Sequence, residues 1–407
     1  MAAIDAAYAE AVATGGRPTV IVARTVKGKG VAEVENVDGA HGKPLAHPDA
    51  AVAELGGVRS LRVDVAKPTA REAPFRFQPT EPGNPELPAW EVGEKVATRR
   101  AYGEALAALG RARSDVVALD GEVNNSTYAE IFAKAHPERY FEMYIAEQQM
   151  VAAAVGLQAR GWRPFVSTFA AFLTRAFDFV RMAAVSQARR CLCGSHAGVS
   201  IGQDGPSQMG LEDIAMLRAV HGSAVLHPCD ANQTTRLVAV MADHPGIAYL
   251  RTLRAATPLI YPSGEFFTIG GSRVLRSSSD DRVVIVAAGI TVHEALAAAD
   301  TLARDSGIAA RVIDAYSIKP IDHATLQAAA DQTGAPIITV EDHWPEGGLG
   351  DAVAATLVDT DRPPRIVKLA VRNMPGSGTP AELLAAAGID AGAITAYARR
   401  LVAGRTR

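Results

Sequence analysis

The stretch VVIVAAGITVHEALAAADTLARDSGIAARVID, residues 283–314, reads as one strand–helix–strand unit. Val283–Ala287 is an unbroken apolar run, the pattern of a strand buried on both faces. From Thr291 to Ser306 the apolar positions take helical spacing, and Ala310–Asp314 returns to a strand pattern. Strands joined through a helix imply a mostly parallel sheet wrapped by helices, an α/β fold. C-terminal to this unit, Ile337–Val340 reads as a further strand, and Asp351–Leu357 and Ala381–Ala387 as helices.

The same alternation runs N-terminally, from Thr98 to about Arg254. Val116–Leu119, Phe165–Ser167, Val199–Ile201, Ala224–His227 and Ile247–Arg251 read as strands, and Met150–Ala159 and Phe172–Ser186 as helices. Before it, residues 64–95 hold Pro68, Pro74, Pro79, Pro82, Pro85 and Pro88 with little periodicity, which predicts an extended linker. Met1–Thr14 carries Ile4, Tyr8 and Val12 at helical spacing and ends at Gly15-Gly16, so a helix is expected there. Pro18–Arg24 (PTVIVAR) predicts a buried parallel strand, followed by the glycine loop KGKG at 27–30. A helix, a strand and a loop are half of an α/β unit, so the expectation is that the chain begins inside a domain. The expected organisation is a remnant at 1–62, a linker at 63–95, and α/β domains at 96–262 and 270–407. No internal repeat or low-complexity tail is found.

Composition narrows the function classes. The chain has 407 residues, 48% of them hydrophobic and 21% charged, and a net charge of -3. That balance gives no electrostatic case for nucleic acid or an acidic membrane surface. Cys191, Cys193 and Cys229 form no metal-ligand pattern and suit a reducing cytoplasm. No apolar run approaches the ~18 residues of a membrane span, and Met1–Thr14 lacks the basic and apolar regions of a signal peptide.

Three segments concentrate chemistry. In YIAEQQM (144–150), Glu147 sits between an apolar run and the start of a helix, where desolvation would raise its pKa; on its own it reads first as a helix-capping glutamate. In STFAAFLTRAF (167–177), Phe169 and Phe172 lie on one face if helical, and in isolation read first as a core stripe. In GSHAGVSIGQDGPSQ (194–208), His196, Asp204 and Gln208 are laced with glycine in a loop after a strand, which favours a ligand site over a structural histidine.

Together with ALDGEVNNST (118–127), VEDHWPEGGLG (340–350) and SGTPAELL (377–384), these segments resemble the transketolases, especially their animal-like branch, in order from about Pro18 to the C-terminus. The resemblance implies two three-layer α/β domains, one binding the pyrimidine of thiamine diphosphate and one the transketolase C-terminal domain. It implies transfer of a two-carbon ketol unit between phosphosugars of the pentose phosphate pathway. In that family a glutamate bonds the aminopyrimidine ring nitrogen and promotes loss of the thiazolium proton; Glu147 matches it, and Phe169 and Phe172 match the aromatics that stack on the ring. Arg99 (in ATRRAYG), Ser126 (in NNST), His196 and Arg254 (in RTLR) match phosphate contacts, for which bidentate arginine is suited. Asp204 and Gln208 match hydroxyl contacts. Lys27 (in KGKG) matches a position beside the cofactor, and His41 (in AHGKPL) a proton-transfer or hydroxyl-binding histidine.

The family's Gly-Asp-Gly signature for the diphosphate and its Mg²⁺ or Ca²⁺ does not occur in these 407 residues. No metal ligand is therefore assigned. Arg254 is followed by Ala255-Ala256 instead of the family's usual Pro-Glu. The implied partners are phosphosugars and either a second copy of the chain or an N-terminal transketolase subunit in a heterotetramer. A split transketolase and a chain with a longer true start are both compatible with this reading, and inactivity of the isolated chain is expected. The β chain of a 2-oxoacid dehydrogenase, a deoxyxylulose-phosphate synthase and an inactive fragment are the alternatives.

Overall fold

The computed structural model describes residues 2–17, 19–40, 42–60, 62, 83–360 and 362–404. Its strands there, in chain order, are β1 (Lys95–Ala97), β2 (Val116–Asp120), β3 (Tyr140–Glu142), β4 (Arg163–Phe169), β5 (Arg190–Ser195), β6 (Ala224–Leu226), β7 (Ile247–Arg251), β8 (Ala256–Pro258), β9 (Arg273–Arg276), β10 (Val283–Ala287), β11 (Ala310–Asp314), β12 (Ser317–Lys319), β13 (Ile337–Val340) and β14 (Ile366–Leu369). The chain divides into two units, Met1–Glu72 and Ala73–Arg407.

In the second unit, β10, the helix Ile290–Ser306 and β11 form the unit read at 283–314, with Val283 opposite Ala310 in a parallel ladder. Alternate β10 residues enter opposite cores: Val283, Ile285 and Ala287 face one, Val284 and Val286 the other. Burying each of these valines and isoleucines contributes about 1.5–3 kcal/mol. The sheet order is β14-β13-β10-β11-β9, parallel except for β9.

The larger sheet has the order β12-β6-β7-β5-β4-β2-β3. It is parallel except at its edge, where β12, contributed by the chain after β11, pairs antiparallel with β6. The fold is thus α/β with two mostly parallel sheets, and β12 ties the later half of the chain to the earlier sheet. A small ladder of β1 and β8 brings the start of the helix Thr98–Ala112 beside the segment that follows β7.

Three expectations are corrected. Val199–Ile201 is a 3-10 turn, bracketed by Gly198 and Gly202 at φ of 78° and 88°. Three apolar-patterned residues are too few to separate a strand from a turn. The strand expected at 18–24 is not formed by residues 19–24; Val20 and Val22 are 83% and 89% exposed, and no strand of the first unit is found among the described residues to complete a ladder. Residue 18 lies outside the described residues. Phe172–Ser186 is split into a 3-10 turn, Phe172–Ala176, and a helix, Phe177–Val185. The first unit otherwise holds the expected helix, Ala2–Ala13, a short helix Pro48–Glu54, and turns pinned by Glu33, which accepts from the Ala46 and His47 N–H groups at 2.5 and 3.0 Å. Of the expected linker, residues 63–82 lie outside the described residues; 83–91 hold no helix or strand and lead into a turn at Val92-Gly93, closed by Glu94 N–H to Glu91 O at 3.1 Å, with Asn232 bonded to both backbone groups of Trp90 at 3.1 and 2.9 Å.

One turn in this frame demands glycine. Gly289 opens the helix Ile290–Ser306 at φ 62°, ψ -132°, and a Cβ there would overlap the buried His227 imidazole. Gly289→Ala is expected to destabilise the chain by about 2–4 kcal/mol, from backbone strain plus overpacking. A lowered urea midpoint at unchanged slope reads this out, and an unchanged midpoint would show that the turn relaxes freely.

Candidate functional site

The carboxyl ends of β2, β4, β5 and β7 lie side by side, where open α/β sheets bind ligands. β2 ends in Asp120, whose buried carboxylate accepts from Val123 N–H and Thr127 Oγ1, both at 2.7 Å. Burial pushes this carboxyl up to about 7. The two bonds shape the single turn Asn124–Thr127 that carries Ser126. Arg99, from the first turn of its helix, ties this turn to the segment after β7. Its Nη1 donates to Ser126 O at 2.8 Å, its Nε to Arg254 O at 3.2 Å, and its guanidinium lies 5.1 Å over the Tyr128 ring.

Beyond β5, His196 takes a left-handed φ of 57°, uncommon for a residue with a side chain. Its Nδ1 is 2.8 Å from Ser195 Oγ, and its ring stacks on Phe169 at 3.9 Å and 11°. Burial, then the charges of Arg99 and Arg254, draw its pKa down to about 3. The imidazole is therefore neutral near pH 7, and its second ring nitrogen has no hydrogen-bond partner among the described residues. Arg254 turns onto the following loop, donating to Ile201 O at 2.8 Å and Gln203 Oε1 at 3.3 Å and pairing with Asp204 at 3.3 Å. Its half-open position keeps that ion pair weak. Arg99, Ser126, His196, Arg254 and Asp204 are thus brought into one basin. The segment after Arg254 enters β8, so Ala255-Ala256 leads directly into the ladder with β1. Gln208 is half-buried nearby in sequence, held through its backbone N–H to Gly205 O at 3.2 Å.

A second cluster adjoins the basin through Phe169. Phe169 closes β4 and Phe172 opens the next 3-10 turn, so a tight bend rather than a helical face stacks their rings, 5.1 Å apart at 11°. Phe169 is buried, but neither ring is part of the three apolar clusters of the described residues. Arg175 lies 4.5 Å over the Phe172 ring and donates to Glu147 Oε1 at 2.5 Å. Glu147, the first residue of the helix Glu147–Ala159, is 3% exposed, and its Oε2 has no partner among the described residues. The surrounding is not the apolar one expected: Tyr144 and Ile145 are 68% and 71% exposed, and a guanidinium partners the buried carboxylate. The arrangement suits a flat heterocycle that needs a ring to lie against and a carboxylate to accept one N–H. Buried Thr168 Oγ1, next to Phe169, is also without a partner.

Lys27 is exposed in the first unit, and His41 lies outside the described residues. Among the described residues no group of three or more His, Cys, Asp or Glu could hold a metal ion, and no helix is long and apolar enough to cross a membrane. Arg175, Tyr128, Asp120 and Gln203 were not singled out in the sequence. Only Arg175 carried a local signal, three residues after Phe172 in a turn.

Comparison with known proteins gives one family. The description "Transketolase, pyrimidine binding domain" matches residues 94–258, and "Transketolase, C-terminal domain" matches residues 272–394. Human transketolase is 46% identical over 390 residues, 95% of this chain and 62% of its own length. Mouse transketolase-like protein 2 is 45% identical over 406 residues, 98% of this chain and 64% of its length. The chain therefore spans a little under two thirds of the curated relatives it matches. Among solved structures, a protein titled "Split gene transketolase, inactive beta4 tetramer" superposes with a TM-score of 0.70 at 39% identity, covering 76% of this chain and 99% of that one. A transketolase from Leishmania mexicana, 24% identical with a TM-score of 0.66 over 78% of this chain and 47% of that chain, shares the fold.

Proposed function

Because this chain belongs to the transketolase family, we propose that it is the component of a transketolase that holds the pyrimidine of thiamine diphosphate and the phosphosugar. Thiamine diphosphate supplies, when bound, the carbanion chemistry of ketol transfer. Glu147 would hold the pyrimidine ring nitrogen, its carboxylate accepting the N–H of the protonated ring and so favouring that form. Phe172 and Phe169 offer a flat apolar surface for that ring. Arg99, Arg254, Ser126 and neutral His196 take the sugar phosphate, the arginines as charged donors and His196 as a neutral N–H. Asp204 and Gln208 meet substrate hydroxyls. Lys27 and His41 join the proposal on the resemblance of KGKG and AHGKPL.

The continuous path Glu147–Arg175–Phe172–Phe169–His196 carries this reading, because it sets a pyrimidine-type surface directly beside a cationic basin. A 2-oxoacid dehydrogenase β chain has no sugar phosphate to hold, so the basin argues for phosphosugar chemistry. Since Gly-Asp-Gly does not occur in these 407 residues, the diphosphate and its Mg²⁺ or Ca²⁺ are assigned to protein outside them, such as an N-terminal transketolase subunit. The similarity to a split-gene transketolase chain supports a partner of that kind and an oligomer.

The basin is tested by substrate charge. In the assembled enzyme, Arg254→Ala should raise KM for a phosphorylated ketose about tenfold or more, the loss of one charged hydrogen bond. KM for the unphosphorylated donor hydroxypyruvate should stay within about twofold. Equal effects on both donors would remove the phosphate assignment.

A further inference from the structure

Two segments quoted for the family resemblance, 340–350 at the end of β13 and 377–384 around the start of the helix Pro380–Ala387, contain no residue given a role above. The structure explains what they touch. Asp342, 1% exposed, reaches from the end of β13 into the loop after β5. Its Oδ1 accepts from Val199 N–H at 2.7 Å and its Oδ2 from Ser200 N–H at 3.2 Å. Arg251, fully buried, braces Asp342 from behind. Its Nη2 donates to Asp342 O at 2.9 Å and Gly210 O at 2.7 Å, while its Nε pairs with buried Asp213 at 2.8 Å. Gly198 cannot carry a Cβ here, because one would overlap the Asp342 carboxylate. The far end of the loop is held as well: Gly202 packs against Gly378 and Pro380, and Gly205 against Ser377.

The held turn contains Ile201, whose carbonyl is Arg254's shortest contact, and leads into Gln203 and Asp204, its other two. We propose that Asp342 is a positioning residue for the phosphosugar basin: from the C-terminal domain, it fixes the Gly198–Gly202 turn against which Arg254 is aimed. The inference rests on the phosphate reading above. It gives the C-terminal domain a part in substrate binding without contact to substrate. Without Asp342, the Val199 and Ser200 N–H groups lose their only acceptor among the described residues, the turn loosens, and Arg254 loses a fixed Ile201 carbonyl.

The test uses the full chain with inorganic phosphate as probe. Asp342→Asn keeps one acceptor but sets an amide NH₂ against the Ser200 N–H; Asp342→Ala removes both acceptors. Should the alanine variant fail to fold, the nearly isosteric asparagine variant carries the test. In either variant, hydrogen exchange at Val199 and Ser200 should quicken about tenfold or more, while β5 stays protected. Phosphate titrated against the His196 ring resonances should bind about tenfold more weakly in Asp342→Asn, with the melting temperature little changed. Arg254→Ala serves as the reference loss. If phosphate leaves His196 unperturbed in the unaltered chain, the phosphate reading fails and the inference with it. If phosphate binding depends on Arg254 but Asp342→Asn binds normally, or exchange at Val199 and Ser200 is unchanged, the positioning role is overturned while the phosphate reading stands.

Discussion

Glu147→Ala is expected to lower ketol transfer by about 10²–10⁴ in the assembled enzyme, the range for removing a group that handles a proton in the reaction. Glu147 is buried, but its partner Arg175 is 49% exposed, so water can solvate the guanidinium once the carboxylate is gone. The fold should therefore survive, and the rings of Phe169 and Phe172 should still stack. The discriminating readout is exchange of the cofactor's C2 proton with deuterium, which should slow by a similar factor. Exchange at the native rate in Glu147→Ala would show that this carboxylate does not take part in activation, whatever happened to turnover.

The second large effect concerns cofactor affinity. Stacking on Phe169 and Phe172 together with one hydrogen bond to Glu147 supplies about 2–4 kcal/mol. That corresponds to millimolar binding at best. The diphosphate end needs a divalent cation with oxygen ligands. No Gly-Asp-Gly is present to supply them. Calorimetry of these 407 residues with thiamine diphosphate and Mg²⁺ is therefore expected to show no micromolar binding. A micromolar, metal-dependent isotherm would mean that the diphosphate is held by residues not assigned here.

The α/β class was legible because the strands around 283–314 are buried on both faces and so read as apolar runs. β2, β7, β10, β11 and β13 share that property. β5 is buried in the same way but does not read as an apolar run: RCLCGS opens with an arginine and carries glycine and serine, yet every residue is buried at the centre of the sheet. Its neighbours on both sides make it a strand, and that is tertiary information. The three-residue strands β1, β8 and β12 are likewise invisible, because their ladders join segments far apart in sequence.

The site divides the same way. The residues proposed for the cofactor and the sugar could be named in the sequence because their motifs resemble a family, not because any local pattern demanded them. What ties them together came only with the fold. The Phe169–His196 stack joins the ends of two strands, Arg175 bridges a helix start and a turn, and Asp342 crosses from another domain. Expecting an apolar surrounding for Glu147 failed for that reason, since Arg175 lies 28 positions away in the chain.

The most direct measurement is reconstitution of ketol transfer from a ketose phosphate donor to an aldose phosphate acceptor, with thiamine diphosphate and Mg²⁺ present throughout. These 407 residues alone should turn over at background. Adding a chain that carries the Gly-Asp-Gly segment should restore transfer, and the rate should saturate as the added chain reaches equivalence. Turnover by these residues alone would contradict the division of the site proposed here.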